Sequence, residues 1–76
     1  MRAILRKPTP EPIPVPRWWA LASPACQRWF RLGYRAAWHE GAIPDRMPPT
    51  TVDEWASAWR DGAETGALAR RRVEAS

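Results

Sequence analysis

From residue 24 onward the apolar positions recur with the period of an α-helix. Cys26, Trp29, Phe30, Gly33, Tyr34 and Ala37 follow one another at alternating intervals of three and one residues and define one helical face. Arg28, Arg31, Arg35 and His39, spaced three, four and four, fall on the opposite face. Ser23 before Pro24 is a helix start, because the serine oxygen caps a free amide and proline is tolerated at the first helical position. Glu40-Gly41 is a stop, with glycine suited to the left-handed position that follows a helix. The pattern predicts a first helix over 24–40. A second apolar series runs Val52, Trp55, Ala56, Trp59 and Ala63, with Gly62 and Gly66 beside it. Thr51-Val52-Asp53-Glu54 has the spacing of a capping box, and its two acids suit the positive end of the helix dipole. A second helix is predicted over 52–65, continuing weakly toward Arg72. Gly62 and Gly66 lie four apart and let another backbone or a Trp ring approach closely; Gly66 also fits a fraying end.

Between the helices, residues 41–50 contain Pro44, Pro48 and Pro49 and read as a connecting loop. Before them, residues 8–16 alternate proline with other residues, which removes half the backbone donors and biases the rest away from the helical region. That composition predicts a polyproline II arm, either a stiff spacer or a ligand for a groove, with Trp18 and Trp19 docking its end onto the helices. No alternating strand pattern and no repeat is present. The fold expected is all-α: a two-helix hairpin joined by a Pro-containing loop, with an extended Pro-rich N-terminal arm that is either packed or flexible. Its segments are the arm over 1–22, the two-helix domain over 23–69 and a basic tail over 70–76.

The chain has 76 residues, enough for one small core. Domains of this size bury a modest share of their surface and need staples or dense packing. With one Cys and one His, neither a disulfide nor a Cys/His metal site is expected, so packing falls to the six Trp residues. The single cysteine fits a reducing, cytoplasmic setting. No run of eighteen apolar residues is present, so no membrane partner is expected. Trp18 to Ala25 is too short, and broken by Pro24, to serve as a secretory signal core.

Charge changes the picture more than composition does. Residues 1–39 carry seven Lys/Arg against Glu11, a net +6; residues 40–69 carry six acids against Arg46 and Arg60, a net −4; residues 70–76 carry three Arg against Glu74, a net +2. Basic ends around an acidic middle suit an anionic partner met at one face. Catalytic machinery is missing from the pattern: no nucleophile elbow, phosphate loop or His-Glu-x-x-His pair occurs. Asp53 and Glu54 are explained by capping, and Cys26 by burial on the apolar face. The expectation is a binding protein, with no enzyme activity, cofactor or small-molecule substrate. The strongest binding feature is the row Arg28, Arg31, Arg35, which Arg17 and His39 extend. Guanidinium forks match phosphate oxygens, and Arg60, Arg70, Arg71 and Arg72 are further candidates for the same contact. Trp38 or Trp18, if exposed, would stack on unpaired bases.

Gly33-Tyr34-Arg35-Ala36-Ala37, then Met47-Pro48-Pro49, then Trp55-Ala56-Ser57-Ala58-Trp59-Arg60-Asp61-Gly62 together resemble the ribosome modulation factor family. That family shows Gly-Tyr-x-Ala-Gly on a first helix, a Cys-Pro-Tyr turn, and Trp-x-x-Gly-Trp-Arg on a second. The likeness covers about residues 26–66. Met47 and Pro49 stand where the family has cysteine and tyrosine, and Ala37 and Ala58 stand in for glycines. By matched position Gly33, Tyr34, Pro48, Trp55, Trp59 and Arg60 carry the signature, as core or as binding residues. The resemblance implies a ribosome-associated factor that binds the small subunit or its rRNA and modulates translation or hibernation. The competing reading is a protein-binding adaptor or inhibitor, of the kind phages encode, working through the Pro-rich arm and exposed tryptophans.

Overall fold

The computed structural model describes residues 13, 14 and 16–75. Most of the Pro-rich arm, with Arg2, Arg6 and Lys7, lies outside the described residues. A short 3-10 turn, Arg17–Leu21, leads into helix α1, Pro24–Glu40, and a loop then leads to helix α2, Asp53–Ala75. No strand occurs among the described residues. The all-α, two-helix architecture is therefore the one expected.

Local chemistry sets the ends of α1. Ser23 Oγ accepts from the Cys26 N–H at 3.2 Å, and Pro24 opens the first turn. At the other end Gly41 adopts φ 75°, and its N–H donates to the Ala37 carbonyl at 2.8 Å. A side chain there would be strained, so glycine is required by the backbone itself. The start of α2 differs in detail from the expected capping box. Thr50 Oγ1 accepts from the Val52 N–H at 3.1 Å, one position upstream of the predicted cap. Asp53 and Glu54 occupy the first turn, where the helix dipole favours them.

The helices run in the same direction, which a hairpin does not allow. Cys26 and Phe30 pack with Ala58, Trp29 stacks on Trp55, and Tyr34 and Trp38 pack with Ala69. Contacts thus advance together along both helices. The connection makes this possible. Residues 41–52 can span about 40 Å when extended, whereas α1, at 17 residues, is only about 25 Å long. The loop therefore returns beside the pair, burying Pro44 against it, and delivers α2 to the end where α1 began.

Glycines hold the two backbones together. A Cβ on Gly33 would overlap the Trp59 carbonyl, and one on Gly62 would overlap the Phe30 carbonyl. Gly66 meets the Tyr34 backbone in the same way. Gly66 is therefore a contact residue rather than a fraying point, and α2 runs beyond the predicted end at 65 to Ala75. Ala67 and Ala69 are buried on this extension, and Val73 packs beside Trp38. Arg70, Arg71 and Arg72 consequently belong to the last turns of α2 and do not form a separate tail.

Aromatic rings fill what the glycines leave. Phe30, 2% exposed, receives the edges of Trp18 and Trp19 at 5.6 and 5.7 Å between centroids. Gln27 Nε2 donates to the Trp19 carbonyl at 3.1 Å, which ties the 3-10 turn to α1. At the far end Tyr34 and Trp38 stack at 6.3 Å and are shut off from solvent.

Parallel packing also brings the two negative helix ends together, and Arg70 answers that charge. Its Nη1 donates to the Trp38 carbonyl, in the last turn of α1, at 2.8 Å. Its guanidinium lies 5.7 Å from the Trp38 ring centroid, and Nε pairs with Glu74 at 3.0 Å. A charged hydrogen bond at a helix C-terminus and a ring contact together stabilise by about 2 kcal/mol. Arg70→Met keeps the stem and loses both, so the urea midpoint should fall by the equivalent of about 2 kcal/mol, while exposed Arg71→Met should leave it nearly unchanged.

Candidate nucleic-acid interface

The contact face of α1 is made by Cys26, Phe30, Gly33, Tyr34 and Ala37. Geometry then leaves Arg28, Arg31, Arg35 and His39 on the side turned away from α2, and all four are exposed. From Arg28 to Arg35 the row runs about 10 Å along the helix, and about 16 Å when His39 is included. Acidic side chains do not interrupt it: the only acid on α1 is Glu40, and that pairs with Arg46 of the loop at 3.1 Å. The three arginines therefore form a continuous cationic strip.

The 3-10 turn touches this strip through Trp19. Arg17 is exposed, and the Arg31 guanidinium sits 5.3 Å from the centroid of the Trp19 ring. Trp19 is half-buried, with its other contacts on Trp18 and Phe30. A guanidinium resting on a ring gives up part of its rotamer freedom before any ligand arrives, and it keeps its outward N–H groups for phosphate oxygens.

The other basic candidates are placed elsewhere. Arg60 is exposed on α2 near Asp45 and Glu64, beside Pro48 and the loop. Arg71 and Arg72 are exposed at the far end of the same helix. Arg70 is committed to Trp38 and Glu74. None of these four lies on α1, so the structure gathers Arg28, Arg31 and Arg35 on one helix face and separates them from the arginines of α2, while Arg17 is exposed on the 3-10 turn.

Two aromatic expectations change. Trp38 is 1% exposed and is unable to stack on a base. Its position one residue past Ala37 hid it, because it lies at the edge of the apolar face and is covered only by the extended part of α2. Trp18 is half-buried against Phe30. Trp29 and Trp55 stack on each other at 6.1 Å.

Of the signature positions, Gly33, Tyr34 and Trp59 prove to be buried packing residues, whereas Pro48 and Trp55 are half-buried and Arg60 is exposed. Gly33 and Tyr34 meet the α2 backbone, and Trp59 is 6% exposed. Compared with protein-family models, curated proteins and solved structures, the chain finds no match. The resemblance therefore stands on the motif series alone. Among the described residues, no helix is long and apolar enough to cross a membrane, and no cluster of three or more His, Cys, Asp or Glu is placed to hold a metal ion.

Proposed function

We propose that this protein is an RNA-binding, ribosome-associated factor that modulates translation or hibernation through the basic face of α1. The observation that carries the reading is the exposed row Arg28, Arg31, Arg35 along α1, turned away from α2. Such a row neutralises successive phosphates, releases counterions and needs no particular base sequence. Ribosomal RNA is favoured among polyanions by the likeness of residues 33–62 to the ribosome modulation factor family. Gly33, Tyr34 and Trp59 of that series are buried where the two helices pack, so an RNA contact falls to the exposed arginines. Duplex DNA is less suited: the row lies along the middle of a helix whose ends are occupied by the 3-10 turn and the loop, and no short helix-turn-helix connection is present.

Co-sedimentation with ribosomes tests the reading. The protein should pellet with small subunits at low salt, be released progressively as salt rises, and remain in the supernatant after nuclease treatment. Absence from the pellet at low salt would rule out a ribosomal partner.

A further inference from the structure

On the opposite side from the arginine row, the 3-10 turn and the two helices enclose an open groove of about 570 Å³. One wall is Trp18, Leu21 and Ala22; the floor is Cys26 and Ala58; the other wall is Glu54, Ser57 and Asp61 of α2. Leu21 is 94% exposed, the most exposed large apolar side chain among the described residues. It projects from a turn that is itself fixed by Trp18, Trp19 and the Gln27 hydrogen bond. An apolar side chain held outward by a rigid support is an unfilled contact, unlike one at the tip of a mobile loop.

The charge of this groove is opposite to that of the arginine row. Glu54 and Asp61 are seven residues apart, two helical turns, and so stand about 10 Å apart along one wall. Both residues are exposed, and neither carboxylate enters the ion pairs of Arg46 with Glu40 and Arg70 with Glu74. Phosphate is repelled by such a wall, whereas Lys or Arg side chains one and three turns along a helix meet it at matching spacing.

We infer that this groove docks a basic amphipathic helix of a partner protein. An apolar residue of that helix sits on Leu21 and Trp18, and two Lys or Arg residues seven apart face Glu54 and Asp61. This is the helix-in-groove mode, with a central apolar anchor supplying affinity and the flanking charges setting register. The inference does not depend on RNA binding. It gives the molecule two faces of opposite charge, one for a polyanion and one for a cationic protein segment.

The test uses the full-length protein and a fluorescently labelled peptide that carries Lys at i and i+7 and Leu at i+3 and i+4, followed by anisotropy. Saturable binding is expected. Leu21→Ser should weaken it about tenfold, and Glu54→Gln with Asp61→Asn by a similar factor. A peptide with Ser for Leu should bind at least about tenfold more weakly, and Arg28/Arg31/Arg35→Ala should leave the interaction unchanged. All three groove positions are exposed, so far-ultraviolet circular dichroism should show unaltered helix content in these variants. Groove variants that bind as the wild type does, or a Ser peptide that binds equally well, would overturn the inference. So would binding that appears only when Arg2, Arg6 and Lys7 are changed to Ser, since the chain's own N-terminal segment would then be the occupant. Concentration-dependent self-association abolished by Leu21→Ser would likewise assign the groove to a second copy.

Discussion

Gly62→Ala should destabilise the protein by about 3 kcal/mol or more, over half of the stability a domain of this size holds. Helix propensity alone gives the opposite sign, since alanine in a helix interior is favoured over glycine by about 1 kcal/mol. Packing decides the outcome. The new methyl group would overlap the Phe30 carbonyl and crowd the Tyr34 amide, both backbone atoms of α1 that no rotamer change can move. Relief requires the helices to separate, which loosens Tyr34, Trp59 and Ala63 at once. A domain this small has only about 5 kcal/mol in reserve. Gly33→Ala should behave similarly, because its methyl group would overlap the Trp59 carbonyl. Thermal melts followed by circular dichroism check both. A rise in midpoint in either variant would show that the helices do not approach as closely as described.

Much of this fold is legible in the sequence. Ser23-Pro24 and Glu40-Gly41 mark the ends of α1 because capping is local chemistry, settled within three or four residues. The sense of the pair is less accessible. A Pro-containing loop of that length joins antiparallel or parallel helices equally well; only the register of Gly33, Gly62 and Gly66 against the opposite backbone selects the parallel arrangement. The length of α2 is hidden for a related reason. Gly66 and the three arginines look like a fraying end when read locally, and they become helical interior because Tyr34 and Trp38 lie alongside. At the candidate interface the exposed row on α1 follows directly from three- and four-residue spacing. The commitment of Arg70 does not, because its partner, the Trp38 carbonyl, is 32 residues away in sequence.

Replacing Arg28, Arg31 and Arg35 together by Ala should weaken RNA binding about a hundredfold, taking about 1 kcal/mol for each exposed arginine–phosphate contact. The fold should survive, because all three side chains are exposed and alanine is a strong helix former. Loss of the Arg31 contact with the Trp19 ring should cost about 0.5 kcal/mol of stability, small beside the loss of affinity. Salt dependence provides a second signature. Each phosphate contact on a single strand contributes about 0.7 to the slope of log affinity against log salt, so the triple variant should lose about two units of slope. A change in net charge alone does not produce that result selectively from one face.

The most direct measurement compares three proteins on one ribosomal RNA fragment across a salt series, with affinity read by fluorescence anisotropy. They are the wild type, Arg28/Arg31/Arg35→Ala and Arg60/Arg71→Ala, the last removing charge from exposed positions on α2. A one-sided interface predicts that the α1 variant loses about a hundredfold in affinity and about two units of slope. The α2 variant should stay within about threefold of the wild type. Equal losses per charge removed from the two helices, or an α1 variant that binds as the wild type does, would contradict a binding face built on Arg28, Arg31 and Arg35.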